Sequence, residues 1–142
     1  MYKFIVSSVL PCFIFVTVFG QKEAPIKLDY FKEIPSEIDG CSGSFTYDSI
    51  PLKNQKYVVV VDLQNLAFVR INGTIIRLTL SEHKNITKNK SKDSYQGGGY
   101  SVILTTTEGR RIGDELYLSS GTIEISNGKQ KSIFKIHGEA GC

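Results

Sequence analysis

The dipeptide Asn72-Gly73 divides the segment "AFVRINGTIIRLTL" into two halves of alternating character. Asn-Gly accepts positive φ at both central positions of a type I′ turn, whose twist matches that of two antiparallel strands. A two-residue turn there sets Ile71 opposite Thr74, Val69 opposite Ile76 and Ala67 opposite Leu78 on one face. The other face carries Phe68, Arg70, Ile75 and Arg77. A slip of one residue would mix the two sets, so the pattern specifies its own register.

From Gly43 onward the chain alternates short β-branched and aromatic runs with turn residues, and no segment sustains a helical period. "YVVVVD", Tyr57 to Asp62, is apolar without alternation and reads as a strand covered on both faces. "GSFTYD", "GYSVILTTT" and "DELYLSS" read as further strands, the last two separated by "EGRRIG". In "GTIEISNGKQKSIFKIHG" a two-residue turn at Asn127-Gly128 would oppose Ile125 to Gln130 and Ile123 to Ser132. A four-residue loop from Gly128 to Lys131 instead pairs Ile125 with Phe134, Ile123 with Ile136 and Glu124 with Lys135, and is preferred. The sum is an all-β fold of about eight strands, an antiparallel sandwich or small barrel.

The ends of the chain bear on where it works. "MYKFIVSSVLPCFIFVTVFG" has one positive charge, Lys3, an apolar run from Phe4 to Phe19 and a small residue at Gly20. This reads as an export signal over residues 1–20. The run is short for a retained anchor and is interrupted by Ser7, Ser8, Pro11 and Thr17. A lipid-modified Cys12 would want a small residue before it, where Leu10 and Pro11 stand. Removal of the signal leaves two cysteines, Cys41 and Cys142, in an oxidising compartment, so a disulfide between them is expected. The protein is expected to be secreted or periplasmic, without stable membrane insertion once the signal is cut.

Residues 21–40 carry spaced apolar positions and two prolines, and read as an extended lead-in outside the core. "YFKEI" could form one helical turn before Pro35 stops it. Residues 41–142 then form a single β domain, since the length suits one core. The formal net charge of +3 is too small to argue for nucleic acid.

Few residues point to chemistry. The only histidines are His83 and His137, and no GxSxG, HExxH or phosphate loop occurs. "YQGGGY" leads into a strand and therefore lacks the helix amides of a phosphate site. Two cysteines without a nearby His or CxxC spacing make no zinc cage, so neither metal nor cofactor is expected. The pairs Asp48 with Asp62 and Asp114 with Glu115 could do acid–base work on a glycoside. Carboxylates at strand ends are more commonly solvated turn residues.

The longest polar interruption, Ser81 to Gly98, is the candidate binding loop. It holds His83, Lys84, Lys88, Lys90 and Lys92 against Glu82 and Asp93. Such a loop could seek an anionic polysaccharide, membrane surface or acidic protein. Tyr95 and Tyr100 could form a stacking platform for a carbohydrate. Asn-x-Ser/Thr triplets occur at Asn72, Asn85 and Asn89, the first of which reads as turn geometry.

"DGCSGSF", "LAFVRINGTIIRLTL" and the closing "GEAGC" together resemble a group of small secreted β-proteins from Bacteroidetes-like bacteria. That resemblance implies a fold and no activity. A second likeness is to periplasmic lysozyme inhibitors, small disulfide-tied β-barrels with a Ser-Gly loop followed by a basic residue and Tyr. Here Ser120-Gly121 is followed by Thr122 and Ile123, which departs from that loop. The function expected is a non-enzymatic exported β domain that binds a protein or glycan. A carboxylate-dependent hydrolase and a structural subunit without ligand are the alternatives.

Overall fold

The computed structural model describes Gly20 and residues 23–142. The expected export signal and Cys12 lie outside the described residues. Among the described residues no helix is long and apolar enough to cross a membrane.

The chain forms eight antiparallel strands that close into a barrel in sequence order. They are β1 (Ser42–Tyr47), β2 (Val59–Val61), β3 (Leu66–Ile71), β4 (Thr74–Asn85), β5 (Lys90–Gly97), β6 (Tyr100–Arg111), β7 (Leu116–Ser126) and β8 (Lys131–Gly141). A single 3-10 turn, Leu52–Asn54, interrupts the β1–β2 connection. β1 pairs with β8 from Ser42↔Gly141 to Tyr47↔Ile136, which closes the sheet on itself. Of the two expected architectures, the closed barrel is the one formed.

The hairpin at Asn72-Gly73 has the expected register, with Ile71↔Thr74, Val69↔Ile76 and Ala67↔Leu78. Asn72 and Gly73 have φ of 48° and 83°, the positive values a type I′ turn requires. The second Asn-Gly takes neither register considered. Its loop has four residues but runs from Asn127 to Gln130, so Ser126 pairs with Lys131, Ile125 with Ser132 and Ile123 with Phe134. Asn127 Oδ1 accepts from Lys129 N (3.0 Å) and Gln130 N (2.8 Å), and this side-chain-capped turn outweighs the better-matched apolar pairs.

The strand count of eight is reached by a different division of the chain. "DELYLSS" and "GTIEIS" are one strand, β7, and run straight through Gly121. A side chain at Gly121 would put its Cβ 1.8 Å from Thr105 O, so the glycine permits a close approach of β6 and β7 where a break was expected. "EGRR" extends β6, with a bulge between Glu108 and Arg111. The missing strand, β5, comes from the segment read as a loop. Ser81 to Gly98 is the end of β4, a four-residue turn and the whole of β5.

The interior alternates as a barrel requires. Phe45, Val59, Val61, Ala67, Val69, Ile71, Leu78, Val102, Leu104, Ile123, Ile125 and Ile136 form one buried cluster. Val60, between two inward valines, packs outside with Phe31 and Phe68, so the apolar run of β2 is covered on both faces as expected.

The cover is supplied by the lead-in, which corrects the reading that it lies outside the core. Ile26 and Leu28 join the interior cluster, and Phe31 joins the outer one. β2 is only three residues long and pairs with Ala67–Val69, which leaves the end of β3 without a partner on that side. Leu28 bridges Ile71 there, and Asp29 N donates to Arg70 O (2.7 Å). Beyond Leu28 the lead-in bends at Lys32-Glu33 and turns at Ser36-Glu37, where Ile38 N donates to Pro35 O (3.0 Å), and "YFKEI" forms no helical turn.

Cys41, just before β1, and Cys142, just after β8, form the expected disulfide. It fastens the seam at which the barrel closes.

Candidate functional site

The strands alternate in direction, so the turns fall into two sets. Asn72-Gly73, Gly98-Gly99 and the Asn127–Gln130 loop mark one end, together with the lead-in. The β2–β3, β4–β5 and β6–β7 turns and the disulfide mark the other. The first end is filled by Ile26 and Leu28. The second opens into a cavity of about 670 Å³.

The cavity is a cup with an apolar floor and a polar wall. Phe45, Val61, Tyr95 and Leu104 form the floor. Above them the inward positions of β4 and β5 change from Leu80 and Tyr95 to His83, Asn85, Ser91 and Asp93. β6 and β7 do the same, with Thr106, Glu108, Tyr117 and Ser119 above Leu104 and Ile123. Lys88 and Asn89 from the β4–β5 turn, Leu63 and Gln64 from the β2–β3 turn, and Glu115 from the β6–β7 turn complete the rim.

Local chemistry fixes this rim. Asp62 Oδ1 accepts from Gln64 N (2.9 Å), Asn65 N (3.0 Å) and Leu66 N (2.9 Å), which holds Leu63 in a left-handed conformation at the mouth. Partial burial acts to raise the Asp62 pKa, but the N–H groups of Leu66, Gln64 and Asn65 outweigh it and hold the carboxyl below its ordinary value. The β6–β7 turn is held by Arg111, whose Nε donates to Gly113 O (2.7 Å). Cys142 N donates to Glu115 O (3.0 Å) and ties that turn to the disulfide.

On the wall, His83 Nδ1 is hydrogen-bonded to Asp93 Oδ1, and His83 Nε2 lies 3.2 Å from Asn85 Oδ1. The hydrogen bond to Asp93, then the Asp93 charge, raises the His83 pKa above its ordinary value. Burial likewise pushes the Tyr95 phenol up.

The residues expected to act together are divided by the strand geometry. His83, Lys88 and Tyr95 line the cup, and Lys90 touches its rim while its ladder position, next to inward Ser91, faces outward. Lys84 and Lys92 are direct partners in the β4–β5 ladder, next to inward His83 and Asp93, and so face outward. Tyr100 pairs with Gly97 near the filled end and packs against the core. With Tyr95 only 6% exposed, the two tyrosines form no exposed stacking platform.

The carboxylate pairs are also redistributed. Asp48 follows β1 at the filled end and Asp62 stands at the mouth, so the barrel length separates them. Asp114 is a turn residue beside Arg111, while Glu115 reaches the cup. The carboxylates lining the cup are Asp93, Glu108 and Glu115, of which Asp93 is engaged by His83. Among the described residues, no three or more His, Cys, Asp or Glu side chains are grouped to hold a metal ion.

Asn85, Thr106, Glu108, Tyr117 and Ser119 were not distinguishable by residue type. The available signal was spacing: His83 and Asn85, then Ser91, Asp93 and Tyr95, recur at every second position. Asn72 is confirmed as a geometric residue, with its Oδ1 accepting from Lys27 N (3.0 Å). Ser120 and Gly121 stand inside β7. No family model, curated protein or solved structure matches this chain.

Proposed function

We propose that the protein is an exported, non-enzymatic binding module that takes a small polar ligand, a glycan terminus or an exposed segment of a partner protein, into the cup. The observation that carries this reading is the contrast between the two barrel ends. One is filled by Ile26 and Leu28, while the other keeps about 670 Å³ lined by hydrogen-bonding side chains over an apolar floor. An eight-stranded barrel is just wide enough to fill with side chains or to hold one small ligand. The volume lies within the range usual for ligand sites.

The apolar N-terminal run and the Cys41–Cys142 disulfide support export, because such bonds persist in oxidising compartments. Binding rather than catalysis by the pair Asp48 and Asp62 is supported by their position at opposite ends of the barrel. A hydrolase would have to use Glu108 and Glu115.

The reading is tested by amide NMR of the protein titrated with tri-N-acetylchitotriose and, separately, with tri-alanine. Coherent shifts at Asn85, Ser91, Thr106 and Ser119, with Gly73 and Gly99 unmoved, are expected for at least one probe. Shifts confined to the filled end would contradict the cup as the site, and hydrolysis of the bound saccharide would favour the enzyme.

A further inference from the structure

The strand registers build a second feature on the outside of the barrel. Following ladder partners across five strands gives Lys84↔Lys92, Lys92↔Thr105, Thr105↔Thr122 and Thr122↔Lys135. Each of these residues neighbours inward-facing ones, so all five project from the outer face. Two residues along, a parallel row runs Lys90, Thr107, Ser120 and His137. The first row is about 19 Å long at the usual strand spacing.

Two aspects of this face call for a partner. Like charges directly opposite one another in an antiparallel ladder are destabilising, and Lys84 and Lys92 are directly opposite. Glu82 lies 3.2 Å from Lys84, but Lys90, Lys92 and Lys135 have no ion pair among the described residues. Glu124, in the neighbouring row, is taken by Lys131 at 2.9 Å. Between the lysines stand four hydroxyls. The hydroxyl groups hydrogen-bonded within the described residues are those of Thr46, Tyr47, Ser81 and Thr87, which leaves Thr105, Thr107, Ser120 and Thr122 free.

We infer that this outer face binds an anionic polysaccharide lying across the strands from β4 to β8. The lysines at the two ends meet carboxylates, and the hydroxyls between them hydrogen-bond the sugar oxygens. An acidic protein or an anionic bilayer would use the lysines alone. A linear uronate uses both sets, because it carries charge and hydroxyl groups along one extended chain. This site is separate from the cup and does not depend on it.

The test is titration of the full mature protein with hexagalacturonate at low salt, beside dextran, a poly-glutamate peptide and vesicles rich in phosphatidylglycerol. Hexagalacturonate is expected to bind in a salt-dependent way, and dextran is not. The triple variant Lys84→Gln, Lys92→Gln, Lys135→Gln should weaken binding about tenfold or more, since each loses a charged contact. A charge-matched variant elsewhere, Lys32→Gln, Lys53→Gln, Lys129→Gln, should change it less than about twofold if the row and not net charge is responsible. Thermal melts and the unchanged disulfide mass establish that both variants fold. Absence of wild-type binding, equal weakening by the two variants, or tighter binding of poly-glutamate or vesicles would each overturn the inference.

Discussion

His83 and Asp93 face each other across the β4–β5 ladder on the wall of the cup, and the imidazole Nδ1–H donates to the Asp93 carboxylate. The pair joins two strands at a height where the barrel interior has turned from apolar to polar. It also raises the pKa of a histidine on a wall that other carboxylates share.

The sign of its pH dependence follows from the raised His83 pKa. The contribution of the pair is fully present below the ordinary histidine value of 6.5 and is lost as pH rises through the higher folded-state value. NMR titration of the His83 ring should give a midpoint above 6.5 that moves back toward 6.5 in Asp93→Asn. A wild-type midpoint at or below 6.5 would contradict the pairing.

Leu28, 2% exposed in the lead-in, should behave as a core residue. Leu28→Ala is expected to cost about 2–5 kcal/mol, the range for truncating a buried leucine. Ile34→Ala, at a site 43% exposed, should stay within about 0.5 kcal/mol. Urea unfolding of the two variants makes the comparison, and equal effects would show that the lead-in does not seal the barrel.

The disulfide closes a loop with a sequence separation of 101. In the chain-entropy model that contributes about 4–5 kcal/mol, so Cys142→Ser should lower the melting temperature more than any turn substitution. Mass spectrometry of protein from its native compartment should find Cys41 and Cys142 without free thiols. Two free thiols there would remove the basis for this prediction.

Asp62→Ala should cost about 1–2 kcal/mol, because the amides of Gln64, Asn65 and Leu66 lose their shared acceptor. Asp62→Asn keeps one acceptor oxygen and should lose less. The lowered pKa means that the wild-type contribution is present above the ordinary value of 3.8 and fades as pH falls through the lower folded-state value. Acid unfolding curves of the wild type and Asp62→Asn should therefore converge at low pH, with Asp62→Ala remaining the least stable.

How much was legible in the chain depended on whether a strand had one wet and one dry face. β4 near Asn72-Gly73 has both, so the register of the β3–β4 hairpin could be read residue by residue. The first part of β5 and the end of β4 have two wet faces. Their outer residues, Lys84, Lys90 and Lys92, meet solvent, and their inner residues, His83, Asn85, Ser91 and Asp93, meet the cup. A strand wet on both faces shows no apolar alternation and resembles a loop.

The chain by itself therefore determined the fold class, the first hairpin and the disulfide, because turn chemistry, period-two patterning and an even cysteine pair act locally or by elimination. Closure of the barrel was decided only in three dimensions, by the pairing of β1 with β8. So were the burial of Ile26 and Leu28 and the division of the lysines between cup and outer wall. These depend on which strand edges remain unpaired once the sheet has curled, and no local pattern records that.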